Sequence, residues 1–364
     1  MQIKKLTIPS SIRNFSVYFE KDFDFIEDLL QISNSVVIVG VHVYRLYRKF
    51  FKIVAPERLI VIPLEEKNKT LDTVMILYKR LLQFSAKKNL TVISFGGGTN
   101  QDVVGFVAST LYRGIQWVYV PTTLLAMADS AVGLKTSLNF LNYKNVIGTF
   151  YPPHKVYICV RFLGTLPEIE YLSGLGEITK FFLMKKDARE HFRESVEAID
   201  TLRKKKDGET IASIIVESIQ IKLSYMKGDE FDLERRNLLN YGHELGHALE
   251  SVSKFHIPHG IGVLLGILFA NAVSVTRQWL DKRTCMYINE KLLLPNIPVQ
   301  GGFFKKNYFD ADRIIDCMKQ DKKRTSDGLV LVLPKENLSL CKVHDITSSE
   351  VRAGLMVLTK TVGF

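Results

Sequence analysis

Four short runs in the first half of the chain constrain its fold more than any other feature: Ser35–Val39, Arg58–Pro63, Leu90–Phe95 and Gln116–Val120. They are rich in β-branched and apolar residues, several without alternation, as strands buried on both faces are. Between them, Leu71–Phe84 and Asp102–Tyr112 carry a helical period. Strands alternating with helices predict a parallel sheet covered on both sides. Near residue 158 the pattern changes. Glu168–Met184, Thr210–Lys227, Leu238–Val252, Gly262–Leu280, Asp310–Lys319 and Ser348–Thr359 all read as helices, with one strand pair at Gly328–Leu333 and Leu338–Val343. The expectation is an α/β domain over residues 1–158 and a helical, all-α domain over 159–364, a length that suits two domains.

Composition narrows the class. A hydrophobic content of 46% describes a globular chain. No apolar run of about 18 residues escapes interruption by a charge or turn signal, so no membrane span is expected. The start leads into a strand-like segment without a secretory apolar region. Four scattered cysteines, Cys159, Cys285, Cys317 and Cys341, fit free thiols in the cytoplasm. The net charge of +11 is spread along the chain, with short clusters only at Arg203–Lys206 and Lys322–Arg324. That pattern suits anionic metabolites and not nucleic acid.

Chemistry concentrates in Asn240-Tyr241-Gly242-His243-Glu244-Leu245-Gly246-His247-Ala248-Leu249-Glu250, read as a helix over Leu238–Glu250. His243 and His247 then lie one turn apart on one face. His259-Gly260 follows a loop at Ile257-Pro258. His243, His247 and His259, three of the chain's eight histidines, thus fall within seventeen residues. They can converge on a divalent metal, most often zinc, and spacing leaves open which two of the three bind it. Core histidines satisfied by hydrogen bonds would explain one such residue more readily than three.

In the first half, Gly96-Gly97-Gly98-Thr99-Asn100-Gln101-Asp102 falls where a strand ends and a helix begins. Glycines there let backbone amides approach a phosphate, although a tight turn alone also needs glycine. Polar turns follow at Val120-Pro121-Thr122-Thr123 and Asp129-Ser130-Ala131-Val132-Gly133-Leu134-Lys135-Thr136. All three sit at carboxyl ends of expected strands, where open parallel sheets bind ligands. A dinucleotide or sugar-phosphate site is the expectation.

These motifs, together with Arg113-Gly114, Lys144-Asn145, Thr165-Leu166-Pro167, Glu177…Lys180 and Arg236…Leu239-Asn240, run in the order of the 3-dehydroquinate synthases and related sugar-phosphate cyclases. The chain resembles that family from about Pro63 to Lys323. The resemblance implies a Rossmann-like amino-terminal domain and a helical carboxyl-terminal domain. It implies zinc (or cobalt) on Glu177, His243 and His259, with His247 facing substrate instead. It implies NAD on Glu66, Lys69, Gly96, Gly97, Gly98, Asp102, Thr122, Thr123, Lys144, Phe162, Thr165, Leu166 and Glu170. Substrate contacts would be Asp129, Asn145, Lys222, Arg236 and Lys322 (or Lys323), with Arg113 reaching in from a second subunit of a homodimer. Lys135, Lys180, Asn240 and His247 would be catalytic, His247 shuttling protons.

The implied reaction converts 3-deoxy-D-arabino-heptulosonate 7-phosphate to 3-dehydroquinate by transient oxidation, phosphate elimination, re-reduction, ring opening and aldol closure. Several ammonium groups and a guanidinium suit a substrate with a carboxylate and a phosphate. The sequence departs from the family pattern at Gly40 (usually aspartate), Thr99-Asn100-Gln101, Leu134 (usually glycine), Asp232, Glu244 and Ile261. Leu134 and Glu244 bear on the choice of substrate. A specialised cyclase of another sugar phosphate is the alternative within the family. A metal-dependent, NAD-linked polyol dehydrogenase is a more distant one, disfavoured by Lys135, Lys180, Lys222 and Arg236.

Overall fold

The computed structural model describes residues 4–84, 87–141, 143–204, 207–299, 302–319 and 329–363. Its strands are β1 (Lys5–Ile8), β2 (Phe15–Glu20), β3 (Ser35–Gly40), β4 (Leu59–Ile62), β5 (Thr91–Gly96), β6 (Gln116–Pro121), β7 (Lys135–Phe140), β8 (Tyr143–Phe150), β9 (Lys155–Cys159), β10 (Leu329–Pro334) and β11 (Leu340–Ile346). Its helices are α1 (Phe25–Leu30), α2 (Val41–Phe51), α3 (Leu71–Leu81), α4 (Gly98–Thr110), α5 (Leu124–Ala128), α6 (Glu168–Leu183), α7 (Phe192–Arg203), α8 (Gly208–Met226), α9 (His243–Val252), α10 (His259–Thr276), α11 (Lys282–Ile288), α12 (Ala311–Lys319) and α13 (Ser348–Val362). The chain divides into two compact units: Met1–Pro167 with Asp207–Ile215, and Glu168–Lys206 with Val216–Phe364.

The first unit is built on a seven-stranded sheet in the order β1-β2-β9-β6-β5-β3-β4. Every pairing is parallel except β1 on β2. All six residues of β3 are buried, which is why its run shows no alternation. Strand order reverses between β3 and β5, which end at Gly40 and Gly96, and ligands of such sheets bind at that reversal. The β7–β8 hairpin and β9 carry no long apolar run, so periodicity did not reveal them.

The second unit packs helices around α10, whose residues 260–274 are all buried. By length and mean hydropathy (1.7) α10 is apolar enough to cross a membrane, but 83% of it is buried inside the structure, as in a core helix. Its Gly262 and Gly266 meet Gly246 and Gly242, and its Asn271 accepts from Tyr241 Oη. The β10–β11 pair is the hairpin expected near the end, except that Gly328 lies outside the described residues.

The helix expected over Leu238–Glu250 is two pieces. Arg235–Asn240 forms a 3-10 turn, and α9 starts at His243 after Gly242, which has φ +81°. A Cβ on Gly242 would also stand 2.6 Å from the Val263 carbonyl oxygen, so glycine is required twice over.

Candidate active site

In the second unit, three helices bring their backbones unusually close. A Cβ on Gly260 would lie 1.7 Å from the Ser173 carbonyl oxygen, and one on Gly176 would lie 2.3 Å from that of Gly260. The Gly260 amide donates to Ser173 Oγ at 3.0 Å. Gly246 faces Gly262 and Gly242 faces Gly266 in the same way between α9 and α10. Each approach places a neighbouring functional side chain: Glu177 beside Gly176, His243 beside Gly242, His247 beside Gly246 and His259 beside Gly260. The repeated spacing Gly242-x-x-x-Gly246 and Gly262-x-x-x-Gly266 was the signal available in the sequence.

At this junction Glu177 is fully buried. Its Oε1 lies 3.1 Å from His243 Nε2 and 3.2 Å from His259 Nε2, yet takes no hydrogen bond. A buried carboxylate oxygen within 3.2 Å of two imidazole nitrogens is a donor set suited to a metal ion. One ligand atom from each of His243, His247 and His259 also lies within 4.8 Å of the others. Four donors are therefore gathered: Glu177 Oε1 lies close to His243 and His259, and His247 shares the three-histidine group with them.

Electrostatics agree with a cation there. Burial opposes ionisation of Glu177, but Lys180 and His243 hold its carboxyl well below the ordinary range. Burial and the Lys180 ammonium push His243 down to about 4, keeping it neutral as a ligand must be. Burial would lower His259 too, but Glu250 and Glu177 raise it to about 10, so the two carboxylates favour positive charge at this ring, which a bound metal would supply in place of the proton. Glu250 Oε1 accepts from His259 Nδ1 at 2.8 Å.

Basic side chains of this unit are buried as well. Lys180 is 2%, Arg236 3% and Lys222 6% exposed. Lys180 Nζ lies 2.6 Å from Glu177 Oε2 and donates to the Leu239 carbonyl at 3.0 Å. Arg236 is held by the Asp229 carboxylate, which accepts from the backbone amides of Leu233, Glu234 and Arg236 at 2.8 Å, and by the Glu230 carbonyl. Asn240 donates to the Asn237 carbonyl at 2.7 Å. Asp232 adopts φ +63°. Lys322 and Lys323 lie outside the described residues.

In the first unit, Gly96–Gly98 form the turn from β5 into α4. Tyr119 Oη donates to the carbonyls of Gly96 (3.1 Å) and Gly97 (2.9 Å), and the Thr122 amide donates to Gly96 at 3.0 Å. Thr123 caps α5, accepting from Ala126 at 3.2 Å. The Asn100 side chain folds back onto the Phe95 carbonyl and reaches within 3.4 Å of where a Gly40 Cβ would be, so these two departures from the family pattern touch. Gln101, a third, donates to the Ser130 carbonyl at 2.7 Å.

Lys69, 4% exposed, pairs with Asp102 at 2.5 Å and bonds Asn145. Burial raises the Asp102 carboxyl, with Lys69 opposing. Asn139, which no motif flagged, joins the group: it donates to Glu66 Oε1 at 2.8 Å and accepts from the Asn145 amide at 3.0 Å, where Asn145 has φ +55°. Lys144 Nζ lies 3.8 Å from Glu66. Thus Glu66, Lys69, Asp102, Lys144 and Asn145 come together. Thr165 bonds Tyr47 Oη at 2.7 Å beside buried Phe162, with Leu166 next in the chain, while Glu170 lies in α6 of the second unit. Asp129 ends α5, Lys135 is exposed at the start of β7, and Arg113 has φ +63°. Leu134 is buried with φ +62°, the conformation that favours glycine there.

The sequence matches the family profile for the 3-dehydroquinate synthase N-terminal region over residues 59–173 and that for its C-terminal region over 174–324. The 3-dehydroquinate synthase of Dictyoglomus thermophilum is 32% identical over 340 residues, 92% of each chain. Among solved structures, ValA, a 2-epi-5-epi-valiolone synthase from Streptomyces hygroscopicus subsp. jinggangensis with NAD+ and Zn2+ bound, superposes with a TM-score of 0.81 over 99% of both chains at 22% identity. A 2-deoxy-scyllo-inosose synthase complexed with carbaglucose-6-phosphate, NAD+ and Co2+ gives 0.79 over 98% of this chain and 99% of its own, also at 22% identity. The fold is shared with these cyclases: a parallel-sheet α/β unit and a helical one.

Proposed function

The chain belongs to the 3-dehydroquinate synthase family, and on that premise we propose that it is a phosphate-eliminating cyclase that turns 3-deoxy-D-arabino-heptulosonate 7-phosphate into 3-dehydroquinate with NAD and zinc. The observation that carries this reading is the junction of α6, α9 and α10, where the unbonded Glu177 Oε1 faces His243 and His259 within reach of the buried Lys180. Glu177, His243 and His259 would hold the metal, and Glu66, Lys69, Gly96–Gly98, Asp102, Thr122, Thr123, Lys144, Phe162, Thr165, Leu166 and Glu170 the dinucleotide. When bound, zinc supplies a Lewis acid for a substrate hydroxyl and NAD a hydride acceptor that returns what it takes.

The protein's own part is orientation and charge. Lys180, Lys222 and Arg236 are ammonium and guanidinium groups already stripped of most water, so they attract an anionic substrate more strongly than exposed cations would. Arg236 supplies the fork that a carboxylate fits. Asp129, Lys135, Asn145 and Lys322 complete the substrate contacts, with Arg113 contributed across a homodimer in the cytoplasm. His247, the third histidine of the cluster, would move the proton in place of holding the metal, with Asn240 assisting.

The test is phosphate release from 3-deoxy-D-arabino-heptulosonate 7-phosphate by purified protein with zinc and catalytic NAD, with the product identified by mass and NMR. Phosphate released with 3-dehydroquinate and no net NADH supports the reading. Turnover of sedoheptulose 7-phosphate or glucose 6-phosphate in its place assigns a specialised cyclase. NADH accumulating from a polyol assigns a dehydrogenase.

A further inference from the structure

We propose that Glu250 is the positioning residue that makes His259 a metal ligand, an inference that rests on the metal reading of the cluster. Seven residues after His243, Glu250 falls two turns along α9 and on the same face as His243 and His247. It is 3% exposed, and its Oε1 sits 2.8 Å from His259 Nδ1. A carboxylate can only accept a hydrogen bond, so it selects the imidazole form with hydrogen on Nδ1. That leaves the lone pair on Nε2, the atom 3.2 Å from Glu177 Oε1. The opposite tautomer would point a hydrogen into the donor set and leave two acceptors facing each other at Nδ1.

The backbone around Glu250 is itself anchored. Its carbonyl accepts from the Phe255 amide at 2.8 Å and from Ser253 Oγ at 3.2 Å. Lys254 and Phe255 both adopt positive φ, 53° and 63°, as the chain turns from α9 toward α10. The carboxylate is therefore delivered from the end of one helix to the first residue of the next. It orients the ring and raises its basicity as a donor, as outer partners of metal-bound histidines do.

Zinc affinity is measured by competition with a chromophoric chelator for wild type, Glu250→Gln and Glu250→Leu, alongside the thermal unfolding of each metal-free protein. Glu250→Gln keeps an acceptor and loses the charge, so about a 10-fold weaker affinity is expected; Glu250→Leu loses both, for up to about 100-fold. Metal-free unfolding temperatures close to wild type separate this from a general loss of structure. Equal zinc affinity in all three overturns the role of Glu250 and leaves the metal reading standing. A wild type that binds no zinc overturns the metal reading and this inference with it. Imidazole nitrogen shifts of His259 in zinc-loaded wild type decide the point even if the variants fail to fold. Hydrogen on Nδ1 with zinc on Nε2 is the expected result, and zinc on Nδ1 refutes it.

Discussion

The two polar centres of this molecule are built by different means. In the second unit, Glu177, His243, His247 and His259 come from three helices whose backbones touch at glycines, so donor positions follow from helix packing and leave little freedom. In the first unit, Glu66, Lys69, Asp102, Asn139 and Asn145 come from a strand-end loop, a helix and a hairpin, and hold one another by side-chain bonds. A rigid donor set suits a small ion that tolerates little positional error. A network of long side chains suits a large, extended ligand with many weak contacts. The contrast teaches that the two centres should fail differently when damaged.

Glu177→Ala should be the costliest change. It leaves the buried Lys180 ammonium without its partner, for about 3–5 kcal/mol in urea titrations of the metal-free protein, and it should abolish zinc retention. Next, Gly260→Ala drives a methyl group into the Ser173 carbonyl. About 3 kcal/mol is expected, together with lost zinc affinity although no ligand is touched. Normal affinity in this variant would show that helix packing does not set the donor geometry.

Lys69→Met probes the softer centre. It strands the Asp102 carboxylate, whose folded-state pKa burial already raises. A raised carboxyl binds more protons folded than unfolded, so its contribution becomes unfavourable as pH rises through the ordinary carboxylate range. The variant should therefore match wild type near pH 4 and fall behind by about 2 kcal/mol at pH 7, with weaker NAD binding by fluorescence titration. A deficit independent of pH would mean that lost packing, not charge, is responsible.

The smallest effect is expected at Leu134→Gly. Relieving the left-handed backbone gains about 1 kcal/mol, but removing a buried leucine side chain costs about 2–3 kcal/mol. A net loss of about 1–2 kcal/mol follows from those two terms. A stabilised variant would reveal that the side chain is poorly packed and the strain dominant. Either result is read from thermal unfolding.

Legibility in the sequence divides along the same line as the two centres. Elements with a strong pattern were readable: β3 to β6 and α6 fall within a few residues of expectation, and in β3, β5 and β6 every residue after the first is buried. The β7–β8 hairpin was not, because its alternating exposed and half-buried residues give no apolar run. Of the metal cluster, His243 and His247 were readable as one helical face. Glu177 was reached only through family resemblance, since spacing says nothing across a separation of 66 residues (243 − 177). Asn139 and Glu250 had no assigned role at all, because a hydrogen-bonding partner acts through where it points.

By itself, then, the sequence determined the strand–helix alternation, the switch to helices, the histidine face and the glycine-rich turn, all of which depend on residues near one another in the chain. Tertiary structure alone decided that Gly242 splits the expected helix, that α10 is a buried core element despite its membrane-like length, and that Gly176 and Gly260 let Glu177 meet His259. Each of those depends on which backbone lies a few ångströms away, and local pattern carries no record of that distance.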